Sequence, residues 1–104
     1  MWEPYKKGFE LYLKLEKSLS GHSTDAYAHD VEKLTTYLQE KGDLKGPEDI
    51  TLKDLQGFLE WIGGLGMTAS SQARIISGIR AFYKYCITEH VSNTDPTLLL
   101  EAPK

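Results

Sequence analysis

From Ile75 to Cys86 the apolar residues recur at intervals of three and four, a period that suits a helix with one buried side and fits no half-buried strand. On a helical wheel, Ile75, Ile76, Ile79, Phe82, Tyr83 and Cys86 fall in one arc, and Ser70, Arg74, Ser77, Arg80 and Lys84 fall in the other. No acid occurs between Trp61 and Thr88. The acids Glu40, Asp43, Glu48, Asp49, Asp54 and Glu60 gather in the middle of the chain, so a formal net charge of -3 conceals a local cationic surface.

The same period runs through the rest of the chain. Tyr5, Phe9, Tyr12 and Leu13 predict a first helix from about Tyr5 to Lys17, weakened by Gly8. Ser20, Gly21, His22 and Ser23 form a turn whose hydroxyls suit a helix start, and Tyr27, Val31, Leu34 and Leu38 carry a narrow apolar stripe to about Glu40, with Gly42 ending it. Thr51 with Asp54 three residues later resembles a capping box for a third helix, its inward residues being Leu52, Leu55, Phe58, Leu59 and Ile62. Gly63, Gly64 and Gly66 are expected to close that helix in a flexible turn. Thr68, Ser70 or Ser71 then caps the basic helix, which runs to about Glu89. Asp95 and Pro96 predict a cap and first turn for a short fifth helix over Thr97 to Leu100.

No segment alternates with period two and none repeats, so the fold class expected is all-α, a four-helix bundle plus a short C-terminal helix. A chain of 104 residues with 40% hydrophobic content supports one domain with a modest core. Leu98, Leu99 and Leu100 are apolar in succession, more than a short terminal helix on a free monomer can bury. Cys86, the only cysteine, lies on the oily arc and reads as a small buried filler. No apolar run approaches the roughly 18 residues that span a bilayer, and Met1 to Lys17 lacks the apolar core of a signal peptide. A soluble, cytoplasmic protein without membrane contact is therefore expected.

Catalytic and metal chemistry are poorly provided for. His22 and His29 are seven residues apart, not the three or four that set two imidazoles on one metal. Gly63-Gly64-Leu65-Gly66 follows no strand and brings no phosphate-binding lysine. The six tyrosines sit mostly on apolar stripes, where core packing with a hydroxyl at the rim is the ordinary role. No cofactor and no metal are expected. The basic helix remains: free N–H groups and serine hydroxyls at its start, then arginines, suit phosphates and base edges in a major groove about 12 Å wide. Spacing alone leaves a merely solvated charged face as the rival.

The order of residues tips that balance. Ser23, Ala26-Tyr27 and Asp30-Val31 resemble the "(S/T)...AY..DL" segment of the Xer-type tyrosine site-specific recombinases, relatives of the phage integrases. Thr68 to Ser71 followed by Ala73 to Tyr83 resembles that family's second signature, and Asn93 to Pro96 with Pro103-Lys104 its "NP...(I/L)..PK" exit. The resemblance covers nearly the whole chain in order. It implies an N-terminal core-binding domain over 1–104, an orthogonal SAM-like four-helix bundle that forms half of a clamp around double-stranded DNA. It also implies neighbouring recombinase subunits in a tetrameric synaptic complex and a catalytic C-terminal domain absent from this chain. DNA contacts carried over by position are Ser70, Ser71 and Arg74, with Ser77, Arg80 and Lys84 further along, and His22, Ser23, Ala26, His29 and Lys33 on the second helix. Relatives often carry one or two arginines after the position of Tyr27, where this chain has Ala28 and His29, so contact from this helix is either lost or pH-sensitive through His29.

The family cleaves DNA with a tyrosine nucleophile aided by two arginines, a lysine and histidine or tryptophan positions beyond the core-binding domain. The only arginines here, Arg74 and Arg80, both lie on the fourth helix, so no catalytic residue is expected in this chain. The resemblance thus implies a DNA-binding domain whose parent breaks and rejoins DNA, in integration or chromosome dimer resolution. The alternative is a free-standing helical protein–protein interaction module docking through Leu98 to Leu100 or the aromatic first helix.

Overall fold

The structure, a computed structural model, describes residues 2–103. Among the described residues the fold has four α-helices, α1 (Glu3–Leu15), α2 (Gly21–Lys41), α3 (Leu52–Gly64) and α4 (Ala69–Thr88), and one 3-10 turn over Pro47–Asp49. No strand occurs among the described residues. The all-α expectation holds, and α4 packs chiefly against α2 while also meeting α1 and α3.

Local chemistry sets most of the helix ends. Pro4 lies in the first turn of α1, where its missing N–H costs nothing, so the helix begins two residues before the expected Tyr5 and ends at Leu15 rather than Lys17. Ser20 caps α2 by accepting from the Ser23 backbone N–H at 3.2 Å. The Thr51/Asp54 capping box forms with both reciprocal bonds, Asp54 N–H to Thr51 Oγ1 at 3.2 Å and Thr51 N–H to Asp54 Oδ2 at 2.8 Å. Thr68 caps α4 by accepting from Ser71 N–H at 3.1 Å, which puts Ser70 and Ser71 inside the first turn. Gly63 and Gly64 do not close α3 as expected: they continue it, and the chain leaves the helix at Leu65.

The core is the sum of the stripes. Phe9 and Leu13 of α1, Val31, Leu34 and Leu38 of α2, and Leu55, Phe58 and Ile62 of α3 are buried together with all six residues of the oily arc of α4. Phe82 is its aromatic centre, edge-on to Phe9 at 5.4 Å and stacked with Trp2 at 5.8 Å. Trp2 is buried in turn because its indole N–H finds the Lys45 carbonyl at 3.0 Å, and Tyr83 Oη donates to the Pro47 carbonyl at 2.8 Å. Gly8, which weakens α1 by propensity, is there for packing: a Cβ at that position would overlap the Tyr85 hydroxyl and lie 3.0 Å from its ring carbon Cζ. Cys86 fills the core, and burial pushes its thiol up to about 12, well clear of reactivity.

The fifth helix does not form. Asp95 makes the expected cap, its Oδ1 accepting from Thr97 N–H at 2.9 Å and Thr97 Oγ1 at 2.6 Å, but residues 96–99 are turns and the chain then runs on without helix. Four residues are too few to offset the cost of nucleating a helix. A tertiary contact also intervenes: Leu100 turns its side chain into the core and its carbonyl accepts from Arg80 Nη2 at 2.6 Å. Leu98 and Leu99 stay out, each 78% exposed. No helix among the described residues is long and apolar enough to cross a membrane.

Candidate nucleic-acid interface

The polar side of α4 faces outward as the wheel requires. Ser70, Ser71, Arg74, Ser77, Arg80 and Lys84 are all exposed. The structure divides them into two groups according to what lies beside them.

The first group is the opening of α4. Arg74 Nη2 bonds and ion-pairs with Asp30 Oδ1 of α2. The two side chains differ sharply in exposure, 48% for Arg74 against 1% for Asp30, so the carboxylate lies beneath the guanidinium and does not cover it. Asp30 Oδ2 is buried with no hydrogen-bond partner. Burial pushes the Asp30 carboxyl up to about 6, outweighing the pull of Arg74 and the weaker ones of Lys33 and His29. Arg74 therefore sits at the mouth of the α2–α4 contact with its remaining donors uncommitted.

The second group lines a groove of about 430 Å³ between the second half of α4, α1 and the start of α2. Ser77, Arg80, Ala81 and Lys84 form one wall, Tyr12, Leu13, Lys17, Leu19 and Tyr27 the other. Three cations thus ring a largely apolar floor. Lys17 stands 5.8 Å from the centre of the Tyr12 ring, a cation–π contact that holds it at the rim. One nitrogen of Arg80, Nη2, is engaged by the Leu100 carbonyl, which leaves its other donors to the groove.

On α2 the predicted residues are spread more widely. His22 and Ser23 occupy the first turn, Ser23 within 3.3 Å of the capping Ser20 hydroxyl. Ala26 and Lys33 are half-buried, and His29 is exposed with Nδ1 3.4 Å from Glu32 Oε2. None of them lines the groove, whose α2 residue is Tyr27. Lys17, Tyr12 and Asp30 escaped the sequence-based selection. Lys17 is in the α1–α2 loop, where no periodicity ties it to α4. Asp30 had a legible signal: it falls on the same arc of α2 as Tyr27, Val31 and Leu34, an acid in an apolar stripe.

Residues 7–90 match the family "Phage integrase, N-terminal SAM-like domain". The chain is similar to Tyrosine recombinase XerD of Rhizobium meliloti (strain 1021), 34% identical over 100 residues that make up 96% of this chain and 32% of the relative. It is also similar to Tyrosine recombinase XerD of Chlorobaculum tepidum, 34% identical over 98% of this chain and 34% of the relative. Tyrosine recombinase XerC of Stutzerimonas stutzeri (strain A1501) is 36% identical over 89% of this chain and 31% of that protein. The chain thus spans about a third of the length of the curated relatives it matches. No solved structure matches it. With the helical order in place and the match running from the middle of α1 past the end of α4, the chain belongs to the phage integrase N-terminal SAM-like domain family.

Proposed function

We propose that this chain is the duplex-DNA-binding domain of a tyrosine site-specific recombinase, holding DNA while residues outside the chain cut and rejoin it. One observation carries the reading: α4 turns an acid-free face of serines, arginines and a lysine to solvent, with Arg74 half-exposed above a buried acid. A helix start with free N–H groups and hydroxyls followed by guanidinium groups offers donors to phosphates and to guanine edges alike. Ser70, Ser71 and Arg74 are the proposed base-proximal contacts, and Ser77, Arg80 and Lys84 the proposed backbone-side ones. His22, Ser23, His29 and Lys33 extend the surface along α2. Two or three neutralised phosphates make for weak binding that falls steeply with salt.

The exposed Leu98-Leu99 pair supports a protein neighbour in addition, either the catalytic domain of the same polypeptide or another recombinase subunit in a tetrameric assembly. The test is titration of a labelled duplex at low salt against the wild type, Arg74→Ala and Lys84→Ala. Arg74→Ala should lose the most, about 1 to 3 kcal/mol for a guanine-edge contact. Absence of binding, or binding that neither substitution changes, would leave the interaction-module reading in its place.

A further inference from the structure

We propose that Asp30 is a positioning residue for DNA recognition: it pins the Arg74 guanidinium over the α2–α4 crossing, so that the fork meets base edges in one orientation instead of swinging to any nearby phosphate. The inference rests on the DNA-binding reading above and goes beyond it by naming what turns a surface arginine into a directional one.

The arrangement is asymmetric in a way that a plain helix tether would not be. Arg74 gives one nitrogen, Nη2, to Oδ1, and its side chain makes no other hydrogen bond among the described residues. Its Nε–H and Nη1 donors are therefore left for a ligand. On the acid's side Oδ2 is buried with no partner, an expensive way to join two helices, because an apolar pair of similar volume commonly holds as well or better. The carboxylate can approach at all only because position 78 lacks a side chain: a Cβ there would overlap Oδ2 and lie 2.7 Å from Cγ. Chain geometry has thus been given up at two positions, an acid in the apolar stripe of α2 and a glycine within α4, to bring one negative charge under one guanidinium. A guanidinium already fixed has less rotamer freedom to lose on binding, and its planar fork keeps the geometry that bidentate recognition of guanine requires.

The test uses the full 104-residue chain, with Asp30→Asn, which keeps size and removes charge, and Arg74→Lys, which keeps charge and removes the fork. Three readouts are taken: mobility of the Arg74 Nε–H by NMR, sequence preference by selection from a duplex pool with a randomised centre, and the salt dependence of affinity for one fixed unrelated duplex. In the wild type the Nε–H should be restricted. In Asp30→Asn it should become mobile, sequence enrichment should fall roughly tenfold or more, and the slope of log affinity against log salt should steepen by about 0.9, one phosphate's worth. Arg74→Lys should lose the enrichment and keep the wild-type slope. A helix tether alone would instead lower affinity for every duplex in Asp30→Asn without steepening the slope, and that result overturns the inference. So does undiminished enrichment in Asp30→Asn, or in Arg74→Lys should the first variant not fold. A wild type that binds no duplex at all removes the DNA-binding reading and this inference with it, whereas a binding wild type matched by an unchanged Asp30→Asn removes the inference alone.

Discussion

Asp30 of α2 lies against Gly78 of α4 so closely that a methyl group on the glycine would overlap the buried carboxylate. The two residues set how near the helices approach at the contact that dominates the bundle. In an exposed helix interior, replacing glycine by alanine stabilises by about 1 kcal/mol. At Gly78 the sign should reverse. Gly78→Ala must displace either the carboxylate or the helix, and overpacking of this kind costs about 1 to 3 kcal/mol. Urea denaturation decides it: a midpoint at or above wild type would mean that the helices can part without penalty.

The same carboxylate predicts an unusual pH dependence. Burial holds the Asp30 carboxyl at about 6, above the roughly 3.9 of an unfolded aspartate. Between those values the folded state binds the proton more tightly than the unfolded chain does, so this group's contribution to stability is full below about pH 4 and is lost as pH rises through about 6. The size is at most about 3 kcal/mol. Asp54 acts in the opposite sense: burial alone would raise its pKa, but bonds from Lys45 Nζ at 2.8 Å and from Thr51 prevail and hold it low. Its contribution is present above the ordinary carboxylate range and is lost in acid. Stability measured from pH 4 to 7 should therefore fall in the wild type relative to Asp30→Asn, and equal slopes for the two proteins would contradict the assignment.

Which of these features could be read before the fold was known follows from how local they are. The two faces of α4 and the Thr51/Asp54 box depend on residues within four positions of one another and are found as expected, and of the three candidate caps of α4 the structure uses Thr68. Asp30 and Gly78 matter through each other, across two helices. Their only trace in the sequence is incongruity: an acid on the arc of Val31 and Leu34, and a glycine on the arc of Ile75, Ile79 and Phe82. The C-terminal segment shows the same limit from the other side. The Asp95 cap was legible, but the contact of Arg80 with the Leu100 carbonyl joins residues 20 apart.

That segment separates three adjacent leucines by burial. Leu100 is 5% exposed and its neighbours 78%, so Leu100→Ala should cost about 2 to 5 kcal/mol while Leu98→Ser and Leu99→Ser stay within about 0.5. Thermal denaturation ranks them. If Leu98→Ser or Leu99→Ser destabilised as much as Leu100→Ala, those side chains would have to be covered in solution, and sedimentation would show by what.

Along the groove, Lys17, Arg80 and Lys84 predict a division of labour that a charged face of no particular purpose would not give. Lys17 and Lys84 make no ion pair among the described residues, so Lys84→Ala should leave stability unchanged and Lys17→Ala should cost no more than about 1 kcal/mol, the worth of its Tyr12 contact. Each should flatten the salt dependence of duplex affinity by about 0.9 if its charge meets a phosphate. Arg80 serves two ends at once. Arg80→Ala should flatten the salt dependence and also lower the melting temperature, because it leaves the Leu100 carbonyl without its donor. Melting curves and salt titrations of the three variants separate the cases. An unchanged slope in Lys17→Ala would take the α1–α2 loop out of the DNA path and leave α4 as the DNA-facing wall of the groove, since no other cation of that loop lines it.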